Sequence, residues 1–181
     1  VQDFIAISPD FAGTALADAN CLAMPCPPAV LQQETTAAFI RTLRAHGGTS
    51  ALVPTTTVYS GLLDEVVQPQ QGAGASAILT SASNNEVQAV CAGRGLGGGF
   101  YGHAGVLAHP VAYALVVDAL GHEGPGRAER LDLDALCKWV AAEGLGLDDV
   151  LATAGLIPLA AARQLVFPDK RVAEPEVVAY A

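Results

Sequence analysis

The stretch from Ser50 to Gln70, SALVPTTTVYSGLLDEVVQPQ, constrains the rest of this chain more than any other. Its first half is rich in Val and Thr, β-branched residues that suit a pleated and largely buried surface. Ser60 and Gly61 break the strand. The loop beyond carries two adjacent carboxylates, Asp64 and Glu65, backed by the small apolar step of Val66 and Val67. A carboxylate just past the end of a buried strand is where open α/β sheets keep reactive or ligand-holding groups. The remaining residues must therefore build a sheet around this strand and bring a partner to the acid.

Upstream, Phe4, Ile5, Ala6 and Ile7 form a nearly continuous apolar run, the mark of a buried strand, which Pro9 and Asp10 end. Residues 13–33 hold small residues with Pro25, Pro27 and Pro28 and predict a loop. Within it, a Cys21–Cys26 bridge would close a compact, stiffened flap. Residues 34–45 predict a helix with Phe39, Ile40 and Leu43 on one face, stopped by Gly47 and Gly48. Strand, helix and strand in that order make one right-handed βαβ unit. A buried strand so near Val1 needs neighbours on both sides, so the chain is expected to continue upstream. Val1 opens no basic, apolar and cleavage-site series, so a mature or excised segment is expected rather than a signal peptide.

Downstream, residues 70–83 are polar and Gly-rich and predict a surface connection that contains Ser76, Ser81 and Ser83. Residues 87–91 predict a short strand, followed by the Gly-rich run CAGRGLGGGFYGH. A helix is expected from about His109 and Pro110, with Val111, Leu115 and Leu120 buried. A short helix should hold Cys137 and Trp139 within residues 131–142. Residues 147–166 are apolar almost all round and predict a helix interrupted at Pro158, packed deep or lining an opening for an apolar ligand. No internal repeat or linker divides the 181 residues, which read as part of one domain.

Composition removes several function classes. The formal net charge of −9 is the wrong sign for nucleic acid or an anionic membrane. No apolar run approaches the roughly 20 residues that span a bilayer. The four cysteines form no Cys-x-x-Cys pair, and His103, His109 and His122 have no carboxylate at metal-binding spacing, so no metal is expected. Four cysteines in an acidic chain fit disulfides and a secreted, extracellular protein.

His103 follows the Gly-rich loop and precedes a helix, an exposed and conformationally special position. A carboxylate such as Asp64 accepting its Nδ1 proton would leave Nε2 free to act as a base. Acid before histidine, with the histidine on a late loop, is the chain order of α/β-hydrolases. Glu65 is chemically able to fill the same role, and residue type does not separate the two acids. Gly93 to Gly98 formally match a dinucleotide-binding fingerprint, but Phe100, Tyr101 and Gly102 intervene before any helix, so a flexible loop is the better reading. No Gly-x-Ser-x-Gly element occurs. The chain thus carries an acid and a base without a nucleophile.

The stretches SPDFAGTALA, QQETTAAFIRTLRAHGG, VPTTTVYSGLLDEVVQPQ, VQAVC and HAGVLAHPVAYALV closely resemble the Candida antarctica lipase B-like fungal lipases of the α/β-hydrolase superfamily. The resemblance implies the C-terminal portion of that fold, a mostly parallel sheet flanked by helices and completed by an upstream segment. It implies that Asp64 is the triad acid and His103 the triad base, and that Asp10 and Gln33 line the acyl side of the pocket. Val66 and Val67 would form the apolar wall, residues 156–165 would flank the entrance, and Cys91 and Cys137 would be disulfide partners. Cys21 and Cys26 have no counterparts in that family. The implied partners are an N-terminal segment or chain carrying the serine and the oxyanion hole, and an apolar ester or triacylglycerol, with contact to a lipid–water interface. Such chemistry needs no cofactor. The rival expectation is an inactive hydrolase-like module that binds lipid or another protein.

Overall fold

The computed structural model describes residues 2–178. Its sheet has three parallel strands in the order β1 (Phe4–Ile7), β2 (Thr55–Tyr59) and β3 (Ser83–Glu86), which puts β2 at the centre. Every residue of β2 is buried, as befits a strand covered on both faces. Three threonines are tolerated there because their hydroxyls are bonded: Thr57 Oγ1 donates to Asn84 Oδ1 (3.0 Å), Thr55 Oγ1 donates to the Val53 carbonyl, and Thr56 Oγ1 accepts the Gly126 N–H.

Helices α1 (Ala15–Ala23), α2 (Pro28–Leu31) and α3 (Ala38–Ala45) link β1 to β2. Past β3 come α4 (Val87–Val90), α5 (Pro110–Gly121), α6 (Leu133–Leu136), α7 (Leu147–Ala154) and α8 (Leu156–Leu165). Helix α5 packs across β1 and β2, and its Val111, Ala112 and Leu115 meet Val58, Val87 and Val106 in the main core. The two disulfides, Cys21–Cys26 and Cys91–Cys137, leave no free thiol among the described residues.

Several expectations are corrected. Residues 13–33 are not a loop: Thr14, in extended conformation, caps α1 by accepting the Leu16 N–H, and the alanines that resemble loop filler are strong helix formers. Helix α3 starts at Ala38 rather than residue 34, because Glu34 to Ala37 close a turn through Ala37 N–H to the Glu34 carbonyl. Gly47, at φ +97°, ends α3 as expected. The third strand is the polar segment Ser83–Glu86, and residues 87–90 form α4 instead of a strand. Polarity hid the strand, yet its amides are bonded: Asn85 Nδ2 donates to the Thr57 carbonyl at 3.1 Å, and Asn84 Nδ2 donates to the Leu79 carbonyl at 2.9 Å. The expected helix over residues 131–142 shrinks to α6, and Trp139 lies exposed beyond it. The apolar run 147–166 breaks at Gly155 and not at Pro158, which sits in the first turn of α8 where a missing N–H breaks no intrahelical bond. Helix α8 does not pack deep; Leu156, Leu159 and Leu165 are each more than half exposed. Val1, at the start of the expected first strand, and residues 179–181 of the tail lie outside the described residues.

The tail has one clear task. The N-terminus of α3 lacks a side-chain cap of its own, and the Glu174 carboxylate accepts the N–H groups of Ala38 and Phe39 at 2.5 and 2.8 Å. An anion at that end also meets the positive pole of the helix dipole. Glu174→Ala is expected to cost about 1 kcal/mol, as loss of a helix cap does. An unchanged urea midpoint would show that the tail does not hold α3.

Candidate functional site

The strand β2 ends at Tyr59, and Ser60 and Gly61 turn the chain so that Asp64 N–H reaches the Gly61 carbonyl at 3.1 Å. The Asp64 side chain is then held from its own loop. Its Oδ1 accepts the backbone N–H of Val66 (3.0 Å) and of Val67 (2.8 Å), while Gln68 Nε2 donates to the backbone carbonyl of Asp64 at 2.8 Å. Asp64 is only 2% exposed, so those N–H groups replace much of the hydration its carboxylate has lost.

His103 Nδ1 lies 3.1 Å from both Asp64 oxygens. With Nδ1–H donated to the carboxylate, the lone pair is placed on Nε2, the proton-accepting position. The imidazole is 24% exposed while the acid side chain is fully covered. Glu65 does a different job from Asp64: its Oε2 accepts the backbone N–H of His103 at 2.9 Å. The structure thereby separates two acids that residue type leaves equivalent.

The loop that delivers His103 is anchored just before it. Ser60 Oγ and Gln88 Nε2 both donate to the Tyr101 carbonyl, and the Tyr101 hydroxyl donates to Val140 O at 2.6 Å. The Tyr101 ring stands edge-on to His109, with centroids 4.4 Å apart. His109 is wholly buried; its Nδ1 accepts the Val111 N–H and its Nε2–H donates to the Gly97 carbonyl. Both nitrogens are thus used by a neutral ring, and burial pushes its pKa down. The Gly-rich run packs on the Cys91–Cys137 bridge: a Cβ on Gly97 would come within 2.9 Å of Cys137 Cα. Gly95, Gly97 and Gly98 of this run thus allow a close approach to the backbone of Cys91 and Cys137. Among the described residues, no cluster of three or more His, Cys, Asp or Glu is arranged to hold a metal.

Asp10, past the end of β1, is near enough to Asp64 and His103 for its charge to respond to both. Ser76 Oγ donates to Asp10 Oδ1 at 2.8 Å and also accepts the Ala12 N–H, while Asp10 Oδ2 is buried without a partner. Ser76 is therefore a fully buried structural serine and not part of a solvated connection. Ser83 likewise belongs to β3. Val67 is buried beside the acid, and Val66 is half-buried with its carbonyl accepting Thr14 Oγ1–H. Gln33 is exposed, and its backbone carbonyl accepts the Thr14 N–H at 2.7 Å.

Over its full length the chain is 34% identical to lipase B of Pseudozyma antarctica. It superposes over 99% of its residues on the crystal structure of Aspergillus fumigatus lipase B, with a TM-score of 0.91 and 49% sequence identity. The chain is similar to lipase B. It spans 52% of the first relative and 44% of the second, about half their length. No family model matches it. The likeness to lipase B-type fungal lipases carries the α/β-hydrolase architecture with it: a parallel sheet with helices around it, here over part of each relative. The two disulfides fit such a secreted fungal lipase.

Burial raises the Asp10 carboxyl above its ordinary pKa, against the lowering effect of the Ser76 hydroxyl and the Gly13 N–H. A raised folded pKa means that stability is retained at low pH and lost as pH rises through it. Asp10→Asn removes that titration. Its stability relative to the parent should be flat below about pH 3.8, the ordinary aspartate value, and increase as pH climbs beyond it. Urea midpoints of both proteins from pH 3 to pH 7 read this directly, and a constant gap would mean that Asp10 ionises freely.

Proposed function

We propose that these residues are the acid- and base-bearing portion of a secreted serine carboxylester hydrolase, a lipase or esterase working through an acyl-enzyme. The observation that carries this reading is the covered Asp64 carboxylate bonded to His103 Nδ1, on a chain similar to lipase B. The nucleophilic serine and the oxyanion-hole donors come from an N-terminal segment or chain of the same enzyme. Relatives about twice as long as this chain support that assignment.

In the assembled enzyme His103 Nε2 takes the proton of the serine hydroxyl as the oxygen attacks the ester carbonyl. Asp64 stabilises the imidazolium without accepting its proton, and the donors of the completing segment hold the tetrahedral oxyanion. His103 then protonates the departing alcohol. In the second half it deprotonates a water that attacks the acyl-enzyme, and the proton returns to the serine as the acid leaves. Val66 and Val67 stand beside the acid as apolar wall, and Asp10 and Gln33 belong to the acyl side. Exposed Leu156, Leu159 and Leu165 of α8 give apolar surface toward a fatty ester or a lipid–water interface.

In the complete protein, His103→Ala and Asp64→Asn are each expected to lower kcat for a p-nitrophenyl ester by about a thousandfold or more. Folding, followed by circular dichroism, should be little changed for His103→Ala. Full activity in His103→Ala would remove the assignment. Failure of the complete protein to react with a fluorophosphonate would point instead to a non-catalytic, lipid- or protein-binding module.

A further inference from the structure

We propose that Glu65 is a positioning residue for the His103 imidazole, acting through the backbone of His103 and not through its ring; the proposal rests on the hydrolase reading above. A ring bonded only at Nδ1 still swings when its Cα moves, and the reach of Nε2 moves with it. Proton transfer in an active site depends on placement to within about half an ångström. His103 is held at its peptide groups as well as at its ring. Its N–H donates to Glu65 Oε2 at 2.9 Å, and its carbonyl accepts Ser8 Oγ–H at 2.7 Å. Two successive carboxylates of one turn, Asp64 and Glu65, thus grip one residue at two separate points.

The glycine before His103 points the same way. A Cβ on Gly102 would collide with the Glu65 carboxylate. Gly102 does not lie in the left-handed region, so its backbone conformation is open to any residue. What the position requires is room for the carboxylate. The preceding residue is held independently, with Ser60 and Gln88 on the Tyr101 carbonyl. Losing Glu65 therefore frees the last peptide of the loop without releasing the loop. The side chain of Glu65 is exposed, so its removal leaves no buried charge behind.

The test uses the complete protein. Glu65→Ala and Gly102→Ala are each expected to lower kcat about 3- to 10-fold with KM changed less than about 2-fold, the scale of one hydrogen bond to a charged group. Because Gly102→Ala acts by evicting Glu65, the double variant should be no slower than the slower single. Glu65→Gln, whose amide oxygen also accepts an N–H, should recover most of kcat. The His103 amide proton resonance, carried downfield by its bond to a carboxylate, should move upfield in Glu65→Ala and in Gly102→Ala. Additive losses in the double variant, or an unmoved amide resonance with unchanged kcat in Glu65→Ala, would overturn the proposal while an inactive His103→Ala leaves the hydrolase reading standing. An active His103→Ala overturns that reading itself, whatever the amide resonance shows.

Discussion

A covered carboxylate bonded to a partly open imidazole is the interaction around which this structure is arranged. Removing Asp64 from water costs several kcal/mol unless its oxygens are bonded elsewhere, and the loop meets that cost locally. The N–H groups of Val66 and Val67 point at Oδ1 because the turn after Ser60 and Gly61 folds back on itself. With that charge satisfied, the only remaining demand is the imidazole, and both Asp64 oxygens lie at equal distance from its Nδ1.

The rest of the fold fixes the two ends of that contact. Asp64 hangs from β2, the central strand, whose five residues are all buried. His103 sits at the start of a short 3-10 helix, Ala104–Ala108, after a loop that belongs to no strand or α-helix and needs other anchors. They are Tyr101, tied to Val140, Ser60 and Gln88; the edge-on packing of Tyr101 on His109; and the close approach of Gly97 to the Cys91–Cys137 bridge. His109 links these anchors to helix α5, since it caps that helix through Nδ1 and bonds Gly97 through Nε2–H. His109, a buried neutral histidine six residues beyond the partly open His103, thus does structural work, and their environments account for the difference. Helix α5 in turn packs on β1 and β2, so the loop and the acid share one rigid support.

Much of this was legible in the chain. The Val- and Thr-rich run, its break at Ser60 and Gly61 and the acid beyond it read correctly because β-branched residues and turn residues act locally. So did the stop of α3 at Gly47 and helix α5 with Pro110 in its first turn, although Leu120, expected in its buried stripe with Val111 and Leu115, is exposed. Three elements misled. Strand β3 is polar, and its place in the sheet depends on amide contacts with Thr57 and Leu79 that no hydrophobic pattern records. Helix α1 hid in a stretch of small residues. Ser76 reads as a solvated serine but is buried, its hydroxyl satisfied by donating a hydrogen bond to Asp10, 66 positions away.

The sequence by itself determined the kinds of group present, an acid past a strand and a histidine past a glycine loop, because each depends on short-range backbone preference. It also determined the acidic charge and the four cysteines. Only the tertiary structure decided which carboxylate faces the ring and which faces the peptide, since Asp64 and Glu65 are neighbours of nearly identical chemistry. That choice depends on which way the turn directs each side chain and on where a loop nearly forty residues later comes to rest, and neither is a local property of the chain.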